Sequence, residues 1–434
     1  MVNAAPVLFW LRRDLRLADN RGLFEALNSG HKVQLLFIFD TDITDELPAD
    51  DHRISLIYDQ LKLLHEAVKP YNSSLLVKYG RPAEVFREVF ERLKPAAVYT
   101  NEDYEPYAVE RDEHIAQLCD EYSIGFEKFK DQVIVHPREV LKKDGKPYTV
   151  FTPWSKKWFA AFDAERLSIY HSEQHLQQLA PGNYELPKLD AMGFQYNPRK
   201  IQTEFPAPNL LKNYVDQRDF PAVPGTSRLS VVLRFGFISI RKLVNHAAAY
   251  GSFLNELAWR EFYMMIIFHF PHVVSKSFKP QYENIRWRNN ADEFARWCQG
   301  NTGYPIVDAG MRELNQTGYM HNRVRMITAS FLTKHLLTDW RWGEAYFAQK
   351  LTDYELASNN GGWQWAAGSG CDAAPYFRVF NPELQTKKFD PHFSYIKKWV
   401  PEYQTSEYFE PVVEHKYARE RALSAYKQGL NQHR

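Results

Sequence analysis

Short apolar runs and amphipathic stretches alternate through the first third of the chain. Pro6 to Trp10, Val33 to Phe39, Leu75 to Tyr79, Ala96 to Asn101 and Gln132 to Val135 read as strands. Between them, Ile54 to Ala67, Pro82 to Leu93 and Ala108 to Tyr122 carry helical periodicity. Continuous apolar strands separated by helices predict a parallel, doubly wound sheet covered on both faces, which binds ligands beyond its strand carboxyl ends. From about Leu141, the runs KKDGKPYTVFTPW and PGNYELPKLDAMGFQYNPRK are rich in Pro, Gly and polar residues and predict a long surface connection. After about Phe205 nearly everything reads as helix, with start signals at Thr226, Ser239 and Asp292. The expected organisation is an α/β domain over 1–135, an interdomain linker over 136–204 and an all-α domain over 205–434.

With 434 residues the chain is too long for one core, which agrees with two domains. Hydrophobic residues at 44% and charged residues at 25% are the balance of an ordinary globular protein, so a folded chain is expected. The first apolar run ends at Arg12, Arg13 and Asp14, so neither a signal peptide nor a membrane span is expected, and the protein is expected in the cytoplasm. Cys119, Cys298 and Cys371 are widely spaced without a CxxC pair, so reduced thiols and no metal are expected. Lys and Arg number 54 against 53 Asp and Glu, a formal charge of +1, so a polyanion would need a local basic patch. Eight of the eleven tryptophans lie between Trp259 and Trp399, a concentration that suits a large aromatic core and also a site for planar ligands.

Four strings carry candidate chemistry. GTSRLS (225–230) places three hydroxyls beside a glycine at an expected helix start, a pattern that suits a phosphate and equally a plain N-cap. In NELAWREFY (255–263), Glu256, Trp259, Arg260 and Tyr263 share a helix face, which suits a flat polar ring beside a phosphate or an ion pair covering an indole. In YMHNRVRMI (319–327), Asn322, Arg323 and Met326 fall within one turn and can address base edges or a flavin. In SNNGGWQWAAGSGCDAAPYFRVFNP (358–382), Trp363 and Trp365 are two apart, so one faces the interior while the other faces a cleft; the glycines before them permit close backbone approach.

These strings, with FWLRRDLRLADN near the start and TGYPIVDAGMRELNQTGYMHNRVRMITASFL, resemble in order and spacing the photolyase/cryptochrome family, most closely its class I cyclobutane pyrimidine dimer photolyases. The resemblance implies FAD held by Tyr214, Thr226, Ser227, Leu229, Ser230, Asn322, Asp353 and Glu355, with Asn359 beside the flavin's central nitrogen. It implies an electron chain of Trp363, Trp340 and Trp287. It also implies a pocket for a flipped dimer made by Glu256, Trp259, Asn322, Arg323, Met326 and Trp365, with Arg218, Arg260 and Arg378 on DNA phosphates. The implied activity is light-driven repair of UV-damaged DNA by a monomer, with Glu256 hydrogen-bonding the pyrimidine edges.

The chain departs from the family pattern in two places. Asp353, Tyr354 and Glu355 replace its usual Asp-x-Asp, and Tyr107 and Ala108 stand where folate-binding members carry Asn-Glu. A deazaflavin antenna, or none, is therefore expected before folate. A (6-4) photolyase would carry histidines in place of Asn322 and Met326. A signalling cryptochrome would change Asn359 or extend far beyond Pro382, after which about fifty residues follow. DASH-type relatives usually place tyrosine at the position of Trp365. A flavoprotein dehydrogenase would show GxGxxG after the first strand, which is missing.

Overall fold

Strands β1 (Val7–Leu11) and β2 (Val33–Asp40) are buried at every position, the mark of a sheet covered on both faces. With β3 (Leu76–Gly80), β4 (Ala97–Asn101) and β5 (Gly125–Phe129) they form a parallel sheet of order β3-β2-β1-β4-β5. Phe9 lies opposite Leu35 and Tyr99. Alternate residues serve opposite layers: Val7, Phe9 and Leu11 join one core with Leu35 and Phe37, and Leu8 and Trp10 join the other with Leu36 and Ile38. The expected helices are present as His52–Val68, Pro82–Leu93 and Pro106–Glu121. This computed structural model describes residues 5–162 and 165–431; residues 1–4, 163–164 and 432–434 of the expected domains and linker lie outside the described residues.

The structure departs from the sequence expectations at the fifth strand and at two helix starts. The fifth strand is Gly125–Phe129, not Gln132–Val135. An edge strand with exposed or half-buried positions carries no apolar run, whereas Val133, Ile134 and Val135 are apolar because an irregular segment buries them to 2%, 1% and 3% exposure. Of the helix starts, Ser239 caps Ile240–His246 as expected. Asn290 rather than Asp292 caps Ala291–Gln299, and the helix after Thr226 begins only at Ser230.

Two units emerge: Met1–Glu139, Trp158–Phe205 and Arg228–Ala249 in the first, and Val140–Lys157, Pro206–Ser227 and Tyr250–Arg434 in the second. The division differs from the expected boundaries. Leu176, Leu179, Leu189, Met192 and Phe194, expected in a linker, complete one core of the sheet, and Leu179 bridges to Val33. Residues 228–249 belong with the sheet because Leu15 N–H donates to the Phe235 carbonyl, and because Ser239 and Arg241 enter a buried ion cluster.

In that cluster Arg241 reaches Asp131 at 2.7 Å and Asp19 at 3.1 Å, and Arg16 adds a second guanidinium on Asp131. Burial alone would raise the Asp131 carboxyl, but Arg16 and Arg241 hold it at about 2, below the ordinary 3.8. In the second unit every regular element from Gly251 onward is helical, and Trp297, Phe331, Trp340 and Trp363 share its core. No helix among the described residues is long and apolar enough to cross a membrane.

Asp131→Asn leaves two buried guanidiniums short of a counter-charge and is expected to lower stability by about 3–5 kcal/mol in denaturant titration at neutral pH. Because the folded value of Asp131 is depressed, its contribution is complete above about pH 4 and is lost as the pH falls toward 2. A variant as stable as the parent would show that the cluster does not hold residues 228–249 to the sheet.

Candidate active site

The helix Leu356–Ala367 has buried sides and one open stripe. Trp363 is 2% exposed and packs edge-on against Phe347 and Trp297, with centroids 5.0 and 6.0 Å away. It also lies on Gly343, where a Cβ would stand 2.1 Å from the indole. Gly361 admits the Tyr263 ring in the same way, at 2.2 Å from a would-be Cβ. Asn360 and Gln364 both donate to the Val273 carbonyl at 2.9 Å. Asn359, Gly362 and Trp365, spaced three apart, share one face, on which Gly362 is exposed and Asn359 and Trp365 are half-buried. A Cβ on Gly362 would meet nothing.

Asn359 donates its amide hydrogens to the Glu344 backbone carbonyl at 3.1 Å and to Glu344 Oε1 at 2.9 Å. The amide orientation is therefore set, with the carbonyl end left for a ligand. Burial raises the Glu344 carboxyl above the ordinary range, against the opposing bond from Asn359. On this stripe Gly362 leaves room and Asn359 offers a neutral acceptor, an arrangement that suits a flat ring.

The helix Gly251–His269 presents Glu256, Trp259, Arg260 and Tyr263 as a half-buried face, while Leu254, Leu257, Met264 and Met265 are buried. Glu256 is bonded by Arg218, Arg218 lies 4.0 Å from Asp219, and Asp219 pairs with Arg323 at 2.9 Å. Arg323 in turn contacts Met326 Sδ at 3.7 Å. Residues from three separate segments thus form one string, with Tyr214 buried beneath Arg218. Burial, reinforced by Glu256, pushes the Tyr214 phenol up. Asp219, which no motif singled out, holds the string together.

The other expected residues are placed less directly. Asp353 pairs with Arg325 at 2.8 Å, and Glu355 pairs with Arg260 at 3.7 Å and accepts from Ser358 at 2.8 Å. Of the arginines expected on DNA phosphates, Arg378 stands exposed, whereas Arg218 and Arg260 are engaged with carboxylates. Asn322 is exposed at the start of its helix, whose cap is His321. Thr226 and Ser227 fall in the second unit, and Leu229 and Ser230 in the first, where Leu229 caps the helix Ser230–Arg234 without a side-chain bond. Trp363 and Trp340 lie inside one aromatic core, and Trp287 is half-buried at its edge. No group of three or more His, Cys, Asp or Glu that could hold a metal occurs among the described residues.

Comparisons with known proteins bear on both units. Residues 7–174 match the family model described as DNA photolyase, and residues 253–407 match the FAD binding domain of DNA photolyase. The chain is 39% identical to a deoxyribodipyrimidine photo-lyase of Synechococcus sp., over 92% of its own length and 88% of the relative's. Among solved structures, a class III photolyase from Agrobacterium tumefaciens gives a TM-score of 0.86 at 32% identity, covering 99% of this chain and 98% of that one. An archaeal photolyase from Sulfolobus tokodaii, solved with two FAD molecules, gives 0.81 at 32% identity, covering 98% of this chain and all of its own.

Gly343→Ala forces a methyl into the Trp363 ring and is expected to lower stability by about 1–3 kcal/mol in thermal or denaturant unfolding. Unchanged unfolding would mean that the helices Trp340–Lys350 and Leu356–Ala367 do not need this close approach.

Proposed function

Because the chain belongs to the DNA photolyase family, matched along both its sheet-containing and its helical parts, we propose that it repairs cyclobutane pyrimidine dimers in UV-damaged DNA under blue light. The observation that carries this reading is the open stripe of Asn359, Gly362 and Trp365, on a helix braced through Tyr263 by the one that carries Glu256 and Trp259. FAD is the cofactor; when bound in its reduced form it would supply the electron for light-driven opening of the dimer.

The protein's own part is positioning. Trp259 and Trp365 offer flat faces for a dimer turned out of the duplex, which flips readily because its pairing and stacking are already weakened. Glu256 addresses the pyrimidine edges once Arg218 turns from it to a DNA phosphate. Asn322, Arg323 and Met326 close the pocket, and Arg260 and Arg378 meet the strand around it. Tyr214, Thr226, Ser227, Leu229, Ser230, Asp353 and Glu355 hold the cofactor, and Asn359 presents its amide to the ring system. Trp287, Trp340 and Trp363 lead an electron inward from the surface.

As for an antenna, Tyr107 bonds to Asp40 at 2.7 Å and Ala108 is buried, so these positions offer folate no Asn-Glu pair; a deazaflavin or no antenna fits better. The enzyme acts as a monomer, in the cytoplasm, where its three free cysteines stay reduced.

The reduced protein, irradiated with a dimer-containing oligonucleotide, should restore the pyrimidines. Trp259→Ala and Trp365→Ala should keep their flavin and each lose about 1–3 kcal/mol of dimer affinity, measured by titration. Absence of restoration with the flavin intact points instead to a signalling protein; normal dimer binding by both variants removes the pocket assignment.

A further inference from the structure

The indole of Trp259 is covered on one side. Phe151 lies parallel to it, with the ring planes 6° apart and the centroids separated by 3.6 Å. Aromatic pairs left to themselves favour an offset or an edge-to-face arrangement over this direct overlap, so the surroundings must impose it. They do so from three sides. The Phe151 backbone N–H, at the open end of the helix Phe151–Ala160, donates to the Asp372 carboxylate at 3.0 Å. Phe262 presses its ring against Phe151 and Trp259 at steep angles of 81° and 86°. Trp154, 1% exposed, closes the group behind Phe262. Phe151 itself is 6% exposed, whereas Trp259 is half-buried.

We infer that Phe151 is a positioning residue for dimer binding: it occupies one face of Trp259 and fixes the plane at which the other face meets a pyrimidine ring. The inference rests on Trp259 being a wall of the dimer pocket. An indole free to rotate would lose entropy on stacking against substrate, whereas one already pressed against Phe151 and boxed by Phe262 and Tyr263 loses little. The Asp372 tether adds a consequence, because the same loop region follows Trp365 in the chain and so links the settings of the two tryptophans. A flat ring at position 151 is the requirement; apolar bulk alone does not meet it.

Phe151→Leu keeps most of the volume and removes the flat face, so it tests the ring without opening a large cavity. Titrations on the flavin-loaded protein should show dimer-containing DNA bound about threefold to tenfold more weakly, with undamaged DNA bound as before, and Phe151→Tyr should restore the affinity. In a Trp259→Ala background Phe151→Leu should have no further effect. If Phe151→Leu leaves dimer affinity unchanged while Trp259→Ala weakens it, the positioning role is overturned and the pocket stands. If the two losses simply multiply, Phe151 acts independently of Trp259 and the inference is again wrong. If neither variant changes dimer binding, the pocket itself is misplaced.

Discussion

Two glycine contacts set the geometry on which the site depends. At Gly343 and Gly361 a single methyl would collide with Trp363 and Tyr263, at 2.1 and 2.2 Å. Interiors are close-packed, so such approaches fix a helix in rotation as well as in distance. With Trp363 locked inward and Gly361 locked against Tyr263, Asn359, Gly362 and Trp365 have only one direction left to face. Asn359 is then oriented by Glu344, and Trp259, on the neighbouring helix, by Phe151. Both side chains are thus backed by a second residue.

Charge is organised on the same principle. The formal excess of +1 cannot draw a polyanion from a distance, and Arg218, Arg260 and Arg323 are matched to Glu256, Glu355 and Asp219. In the repair we propose, a damaged strand meets internally compensated cations, and exchange of a carboxylate for a phosphate is what releases Glu256. On that proposal, recognition follows from the lesion's weak stacking and from aromatic walls, more than from a broad electrostatic field.

Much of this was legible in the residues. Central strands announced themselves by continuous apolar runs, and the spacing of Glu256, Trp259, Arg260 and Tyr263 fixed a shared helix face. β5 was not legible, because an edge strand need not be apolar, while Val133 to Val135 imitated one by being buried without a ladder. Phe151 was hidden for a related reason: it stands in a Pro- and Gly-rich run that reads as a connection, and its partner Trp259 is more than a hundred positions away. The pairing of Asp219 with Arg323, of Arg218 with Glu256 and of Arg260 with Glu355 is long-range, and no local pattern encodes it.

In the repair we propose, a dimer rests at near-contact range from the flavin on the open stripe. The most direct measurement is the excited-state lifetime of the reduced flavin, recorded with saturating dimer-containing DNA and with undamaged DNA. A lifetime shortened by the dimer alone, and left long when Trp259 and Trp365 are both replaced by alanine, is the expected result. A lifetime indifferent to bound dimer would place lesion and flavin too far apart for electron transfer, and would contradict the account.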